Sequence, residues 1–373
     1  MIEYCLGTVS EKEEILDFIN YVFSQAKFPH DFKVMVPKSY GEKAKDLGAV
    51  HYLAKRDGKI KALVATRIID VNVGGEKVRY GLIGNVSVHP YSRGEGHMKI
   101  LMQMAREDAV KRGVDILILG GQRQRYGYFG YEFGGLAYLY NVTSINLRHC
   151  LGDVDTSAIT FASLEEKDVG YAKALYEKRP FHAIRPEDEF LDIVHTWNRP
   201  CHMIYKNNSP IGYVYSNFEE VVLEDEKDYP LVLKAFFESN SVSGLDIKIA
   251  PWQKERREFL LSICESCTVG HVKMLSVLNW EKVLGAFFRF KSQCFALEDG
   301  NIKIKIDENT FEIGVSNGEG FVRKLDCCGE DCASFTTMEA QRLIFSMETV
   351  MNPDKNRFNW FPLNFYVDSP DGY

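Results

Sequence analysis

Between Asn85 and Leu101 the chain reads Asn-Val-Ser-Val-His-Pro-Tyr-Ser-Arg-Gly-Glu-Gly-His-Met-Lys-Ile-Leu. Val86 and Val88 alternate as in a strand, Pro90 stops that strand, and residues 93–96 make a short glycine loop. From Met98 to Val110 apolar residues return at helical spacing. A strand, a glycine loop and a helix start, in that order, form an anion cradle. The first helical turn has N–H groups with no internal partner and sits at the positive end of the helix dipole. Gly94 and Gly96 let the backbone come close to a phosphate, with Arg93 beside it. The loop is too short for the Gly-x-x-x-x-Gly-Lys-Ser/Thr pattern and lacks the third glycine of the dinucleotide fingerprint, so its phosphate belongs to another ligand.

The run Val-x-Val-x-Pro-x-x-Arg-Gly-x-Gly resembles the acetyl-coenzyme A motif of the GNAT superfamily of N-acetyltransferases. The resemblance implies that the backbone of Val86, Ser87 and Val88 holds the pantetheine and thioester. It also implies that Arg93, Gly94, Glu95, Gly96, His97, Met98 and Lys99 hold the pyrophosphate. Met98 stands where the motif often has Gly or Ala, a departure tolerated in the tandem-domain branch typified by the enhanced intracellular survival acetyltransferases.

A buried-looking strand over 114–119 ends in Gly120-Gly121, and Gln122-Arg-Gln-Arg-Tyr-Gly-Tyr-Phe-Gly-Tyr-Glu-Phe follows to residue 133. Its Arg-Tyr-Gly-x-Phe-Gly-Tyr core is similar to the GNAT segment in which a tyrosine sits against the thioester sulfur. Amine acetylation expels a thiolate, and a phenol aimed at that sulfur can protonate it. The match makes Tyr126 the expected general acid, with Gly121 and Gln122 flanking the cofactor arm. Tyr128 and Tyr131 are expected to be packing residues.

At 373 residues the chain exceeds what one hydrophobic core serves. Ser10-x-x-Glu13 reads as a capping box for a helix carrying Ile15, Phe18, Ile19, Val22 and Phe23. Strands follow over 50–54, 62–71 and 78–88, joined at Asp57-Gly58 and Gly74-Gly75. Helix, hairpin strands, motif strand, helix, strand is the GNAT order, closing a first unit over residues 1–150. Residues 151–280 read as a faded copy, with a box at Ser163-x-x-Glu166 and a turn at Asn207-Asn208. Trp252-Gln-Lys-Glu-Arg-Arg stands there in place of Arg-Gly-x-Gly, which implies a second GNAT-like domain without a cofactor site. Residues 281–373 carry strand patterns over 288–297, 302–306 and 311–315, turns at Asp299-Gly300-Asn301 and Asn317-Gly318, and a helix capped by Thr336-x-x-Glu339. This resembles the sterol-carrier-protein-like domain that closes the tandem family. The implied fold class is α/β and α+β: two GNAT-like mixed-sheet domains, then a sterol-carrier-protein-like domain.

The chain stays aromatic through Trp360, Phe361, Phe365 and Tyr366 to Tyr373, which predicts an end packed into the protein. In the enhanced intracellular survival family, and in the two-domain myristoyl transferases, the terminal carboxylate takes the proton from the incoming ammonium. The resemblance therefore implies the Tyr373 carboxylate as general base. An α-carboxyl titrates near ~3.5, and desolvation raises such a value. Glu132 and His89 are the alternative bases.

The net charge of −7 and the lack of any Lys/Arg-rich run argue against a nucleic-acid partner and fit a cationic acceptor. No apolar run is long enough to span a bilayer and the N-terminus is no signal peptide, so the expected location is cytoplasmic, with no membrane partner. Nine scattered cysteines suit free thiols in a reducing compartment. Cys264-x-x-Cys267 and Cys327-Cys328-x-x-x-Cys332 have zinc-like spacing but no accompanying histidine pair, so no metal is expected. His195, Cys201 and His202 lack the partners of a nucleophile. The acidic run 219–228 reads as a solvated loop or helix face. The loop 27–32, beginning at Lys27, reads as packing anchors that could line an acceptor pocket, with Asp31 as a weak cation contact.

The expected function is an acetyl-coenzyme A-dependent N-acetyltransferase acting on a primary amine such as an aminoglycoside, a polyamine or a lysine side chain. Transfer is direct within a ternary complex, because no cysteine sits in the motif to carry the acyl group. The rival readings are a non-catalytic acyl-coenzyme A or lipid-binding protein and an aminoacyl transferase of the peptidoglycan-building type. The family resemblance further implies a closed homo-oligomer such as a hexamer.

Overall fold

Apolar alternation in the first ninety residues produces a long antiparallel run. The computed structural model of the protein describes residues 1–25, 28–44, 47–326, 332–352 and 358–373. Lys27, Cys327 and Cys328, named above, lie outside the described residues.

Strand β1 (Ile2–Leu6) leads into helix α1 (Lys12–Ser24) and the short helices α2 (Phe32–Met35) and α3 (Pro37–Tyr40). Strands β2 (Val50–Arg56), β3 (Lys59–Val73) and β4 (Glu76–Val88) follow, then α4 (His97–Lys111), β5 (Ile116–Leu119), α5 (Arg123–Gly127) and β6 (Glu132–Gly134). The middle of the chain forms β7 (Ala137–Thr143), α6 (Ser144–Leu151), β8 (Ile159–Ser163), α7 (Val169–Tyr176), β9 (Phe181–Ala183) and α8 (Phe190–Val194). It continues through β10 (Cys201–Lys206), β11 (Ser209–Tyr215), β12 (Glu220–Leu223), α9 (Tyr229–Ser239), β13 (Gly244–Ile249), α10 (Lys254–Ile263), β14 (Ser266–Gly270) and β15 (Lys273–Val277). The last part holds α11 (Trp280–Cys294), β16 (Gly300–Ile306), β17 (Asn309–Ser316), β18 (Glu319–Leu325), β19 (Cys332–Phe335), α12 (Thr337–Phe345) and α13 (Glu348–Met351). A tail over 358–373 ends the chain.

The first sheet has the order β1-β2-β3-β4-β5-β15-β6, with β9 added to β3. The others are β12-β11-β10-β8, β13-β7-β14 and β18-β17-β16-β19. The expected division at residue 150 therefore runs through two sheets, whereas no sheet among the described residues spans residue 280. All four residues of β5 are buried, so it needs a strand on each edge, and β15 supplies the second by pairing Met274 with Leu119 and Val277 with Ile116. In exchange β7, from the first 150 residues, becomes the central strand between β13 and β14.

Other local expectations change as well. The aromatic run placed in a strand over 288–297 is largely helix α11, because Val283, Leu284, Phe287, Phe288 and Phe290 recur at three- and four-residue intervals and bury one face. The capping boxes near the two GNAT-like starts use Thr8 with Glu11 and Glu165 with Asp168, each earlier or later than expected. Thr336 with Glu339 is as read. Part of the acidic run becomes strand β12, and Glu220 within it is buried.

The first sheet has a different core on each face. Ile83 of β4 packs with Leu101 and Met102 of α4, whereas Leu63 and Ala65 of β3 pack with α1. Farther along, Tyr80, Leu82 and Leu275 meet α11 and the tail residues Trp360, Phe365 and Tyr366. The packed end predicted from sequence is found: Trp360 is fully buried, its ring 4.2 Å from Phe358 and 5.3 Å from Phe288, and its Nε1–H donates to the Glu298 carbonyl at 2.9 Å.

Trp360→Ala should lower stability by about 3–5 kcal/mol through the cavity it leaves. Urea unfolding of the variant and parent would check this, and an unchanged midpoint would contradict the packing described.

Candidate functional site

Strand β4 is paired along β3 for its whole length but touches β5 only from Tyr80 to Leu82. Beyond Leu82 the two strands part, and residues 83–88 have no strand neighbour on that side among the described residues. The register of β3 shifts between Leu63 and Ala65, where Asn85 takes a positive φ of 49°. A bulge of this kind bends a strand away from its neighbour. The outcome is a wedge whose wall is a run of unpaired backbone groups in a largely apolar setting.

One side of the wedge opens on the glycine loop. Gly94 and Gly96 have φ of 84° and 81°, a region closed to most side chains, and a Cβ on either would meet nothing within 4 Å. No acceptor among the described residues takes the N–H groups of residues 94–98. The loop is thus an open set of main-chain donors at the start of a 15-residue helix. Arg93 and Lys99 are exposed beside it. Glu95 and His97 face elsewhere: His97 is buried, with Nδ1 2.9 Å from Tyr4 Oη and Nε2 2.9 Å from Glu95, which also pairs with Arg56. Their side chains brace the loop, leaving only their backbone for an anion. Met98 packs into the α4 core, and Val86 and Val88 line that same face. Ser87 is buried, its hydroxyl bonded to the Asn85 carbonyl.

Gly121 and Gln122 lead into α5, with Gln122 as its N-terminal cap residue. A Cβ on Gly121 would lie 2.4 Å from Tyr126 Cε2, so glycine is required for the Tyr126 ring to lie against the strand end. Tyr126 is 8% exposed and packs on the α4 side, edge-on to Tyr131. Burial raises its pKa over the opposing effect of Arg125, so the phenol carries its proton at neutral pH. Tyr131 is buried, as expected of a packing residue, whereas Tyr128 is exposed beneath Lys99 and is not one.

Tyr373 enters from the opposite face. Its ring lies directly on Gly84: a Cβ there would overlap the ring, 1.9 Å from Cδ1. Its hydroxyl is 2.8 Å from Tyr40 Oη, which accepts from Asn85 and sits 2.9 Å from His51 Nε2. Burial lowers the His51 pKa to about 4, leaving a neutral ring. The segment before Tyr373 is held by Lys38, 1% exposed, whose ammonium donates to the carbonyls of Pro370 at 2.6 Å and of Gly372. Asp371 receives two hydrogen bonds from Arg185, each 2.9 Å, and Asp368 is paired by Arg179 at 2.9 and 3.0 Å. Burial works to raise the Asp371 pKa, and Arg185 more than offsets it. The sequence carries no local signal for Lys38, Tyr40, Arg185 or Asp371, which act through partners up to 334 residues away.

Of the alternative bases, Glu132 does not fit. Glu132 is buried between Arg123 and Arg342, and their hydrogen bonds and that of the Phe133 N–H overcome burial to bring its pKa from 4.5 to about 2. A carboxylate so held is a poor proton acceptor. His89 is stacked on Tyr21, with Nδ1 accepting from the Tyr91 N–H. Asp31 caps α2, so it is an N-cap.

Cys5, Cys150, Cys201, Cys264, Cys267 and Cys294 are free, whereas Cys332 is disulfide-bonded, against the expectation of thiols throughout. Cys264 ends α10 and Cys267 lies in β14. The one group of metal-ligating side chains found among the described residues is Glu220, Asp368 and Asp371, and arginines already neutralise it.

The stretch from β8 to β13 repeats the strand and helix order of β1 to β5. Its counterpart of β4 is β12, and the segment after it is acidic, Glu224 to Asp228. The missing loop thus corresponds to this segment and not to Trp252, which follows β13. Arg256 reaches across, donating to the Val221 carbonyl at 2.8 Å and to Glu226 at 2.6 and 2.8 Å, with its guanidinium 4.6 Å from the Tyr229 ring centre. A side chain thus occupies the strand edge, and carboxylates surround the place of a phosphate.

Residues 4–134 match the acetyltransferase (GNAT) domain family. The chain thus carries a GNAT acetyltransferase domain, the enzyme class expected from its motif, spanning the wedge, the glycine loop and Tyr126. No curated protein matches the chain by sequence. By fold it is similar to a conserved protein from Enterococcus faecalis V583 described as a probable N-acyltransferase, at 17% identity and a TM-score of 0.68 over 97% of this chain and 94% of that one. A GCN5-related N-acetyltransferase from Anabaena variabilis is similar at 14% identity and 0.65 over the whole of both chains. Eis1 from Mycobacterium abscessus is similar at 14% and 0.61 over 91% of this chain and 88% of that one. The shared fold therefore takes in all three parts of the chain. No helix among the described residues is long and apolar enough to cross a membrane.

The depressed Glu132 pKa has a consequence for stability. A carboxyl with a folded pKa of about 2 and an ordinary value of 4.5 stabilises fully above pH 4.5, and that contribution fades as pH falls toward 2. Its size is about 3 kcal/mol. Glu132→Gln should be less stable at neutral pH, and its urea midpoint should converge on the parent's as pH falls through this window. Parallel curves would contradict the ion-pair assignment.

Proposed function

We propose that the protein transfers an acetyl group from acetyl-coenzyme A to a primary amine by direct attack in a ternary complex. The observation that carries this reading is the wedge between β4 and β5, with open backbone donors at Gly94 to Met98 and the phenol of Tyr126 on one face, and Tyr373 on the other. The cradle fits a pyrophosphate in space and charge. The unpaired edge of Val86 to Val88 fits an extended amide-bearing arm, which main-chain groups hold as they would a neighbouring strand.

Arg93 and Lys99 add positive charge at the cradle, and Gly121 and Gln122 flank the arm. A main-chain N–H of the Val86 to Val88 segment donates to the thioester oxygen as charge develops, worth about 3 kcal/mol by comparison with other oxyanion donors. The amine nitrogen attacks the carbonyl carbon, the C–S bond breaks, and Tyr126 gives its proton to the departing thiolate. With Tyr373 as last residue, its carboxylate takes the proton from the arriving ammonium. Lys38, Arg185 and Arg179 keep the tail in place for this.

Residues 281–373 are read with the sterol-carrier-protein-like domain in a supporting part, since their apolar residues fill a core with the first sheet. A closed homo-oligomer belongs to the same reading. The rival, a non-catalytic acyl-coenzyme A binder, would leave Tyr126 and the Gly84–Tyr373 contact without a purpose.

Release of free coenzyme A over an amine panel, followed by mass of the acetylated product, tests the proposal. Tyr126→Phe should reduce kcat by roughly 10²-fold with little change in acetyl-coenzyme A affinity. Extension of the chain by a few residues past Tyr373 should abolish turnover with coenzyme binding intact. Binding of acetyl-coenzyme A without turnover of any amine would favour the binding-protein reading.

A further inference from the structure

The tail side of the wedge carries two ammonium groups that the protein itself does not neutralise. Lys273 opens β15, next to Met274, which points to the α4 core, and two positions before Leu275, which points to the tail side. Alternation sends Lys273 toward the tail. Its Nζ lies 3.5 Å from where a Cβ on Gly120 would stand, at the mouth of the wedge where β5 ends. Lys248 of β13 lies with its Nζ 5.1 Å from the ring centre of Tyr366 in the tail. Both side chains are partly buried, and among the described residues neither has a carboxylate within ion-pair distance.

The carboxylates nearby are committed to other groups, Glu219, whose field reaches Lys248, by accepting from the hydroxyls of Ser216 and Ser369 and the rest by ion pairs. Asp371 and Glu220 are held by Arg185, Asp368 by Arg179, Glu189 by Arg67 and Glu132 by Arg123 and Arg342. Lys38 spends its donors on tail carbonyls. Burial lowers the proton affinity of both lysines, the field of Lys273 lowers that of Lys248 further against an opposing pull from Asp368 and Glu219, and the field of Lys273 also reaches Lys38. Like charges drawn out of water without a counterion are unfavourable in the free protein and become favourable when an anion arrives.

We infer that the acceptor is an amine that also carries an anionic group, a carboxylate or a phosphate, and that Lys273, seconded by Lys248, binds this group so that the amine meets the thioester. The inference rests on the acetyltransferase reading above and narrows its acceptor. A polyamine or aminoglycoside would bring further positive charge against both lysines. An amine with an anion supplies the missing counterion, and its ammonium is left for the Tyr373 side of the cleft. Lys273 then sets specificity, contributing to substrate binding and taking no part in proton transfer.

The test compares matched acceptors that differ in the anionic group: amino acids against their amides, and amino-sugar phosphates against the free amino sugars, with polyamines as the cationic arm. In the native protein the anionic member of each pair should have the higher kcat/KM by roughly 10- to 100-fold, the loss expected when a charge-assisted bond is removed. The better of the two series identifies carboxylate or phosphate. Lys273→Met should raise KM for the anionic acceptor and collapse the ratio toward one, leaving kcat and acetyl-coenzyme A affinity near the parent values. Lys273→Arg should restore most of the preference. Calorimetric binding of the anionic acceptors to the protein loaded with coenzyme A, with parent and Lys273→Met, judges the lysines even if no amine turns over. Absence of turnover with tight, Lys273-dependent binding would sink the acetyltransferase reading alone. Equal use of charged and uncharged partners, or a preference unchanged in Lys273→Met, would overturn the inference about the acceptor.

Discussion

The buried guanidinium of Arg185 is the interaction on which the assembled site depends. It is 1% exposed, bonded to Glu220 at 2.7 and 2.9 Å and to Asp371 at 2.9 Å twice, and it lies 3.8 Å from the ring centre of Tyr176. Arg179 and Arg185 pair with Glu220, Asp368 and Asp371, and Lys38 joins the set through its hydrogen bonds to the tail carbonyls. Loss of one member of such a set leaves a buried charge unpaired, at a cost of about 3–5 kcal/mol. The members come from the first unit, the middle of the chain and the tail. The tail therefore reaches Gly84 only when all three parts have come together, and the specificity of that docking comes from charge geometry more than from the apolar contacts of Phe365 and Tyr366.

The same topology occurs twice with opposite results. In the first unit β4 and β5 remain joined by three residue pairs and part beyond them, keeping a narrow wedge lined by backbone. In the second, β12 and β13 belong to different sheets, and Arg256 spans the gap to the Val221 carbonyl and Glu226. A loop of Glu and Asp stands where glycines would be needed, so neither space nor potential suits a phosphate. This unit supplies Arg179, Arg185 and Glu220 to the ion pairs that hold the tail.

The elements set by local chemistry were legible in the sequence. The glycine loop, the turns at Asp57-Gly58, Gly74-Gly75, Asn207-Asn208 and Asn317-Gly318, and the placement of Tyr126 after Gly121 all follow from short-range rules about φ and spacing. What escaped depended on partners distant in the chain. The exchange of β15 and β7 between sheets follows from β5 needing cover on both edges, which no window around β5 discloses. Helix α11 was hidden because its aromatic residues also suit strands, and tertiary burial decided between the two periods. Glu132 looked like a base because its partner Arg342 lies 210 residues away.

The net charge of −7 describes the surface of this protein and says little of its site. Carboxylates outnumber cations overall, yet around the tail each buried carboxylate is matched by an arginine, so the excess is carried by exposed groups screened within about 8–10 Å by salt. Short-range potential in the cleft is set by groups without an ion-pair partner, and among the described residues these include lysines on β13 and β15. Because the strand exchange brings β15 beside β5, the same event that completes the first sheet also delivers Lys273 to the mouth of the wedge. Fold completion and acceptor selection are thus coupled through one strand, and a sheet without β15 would lose both the edge of β5 and the charge facing the reaction.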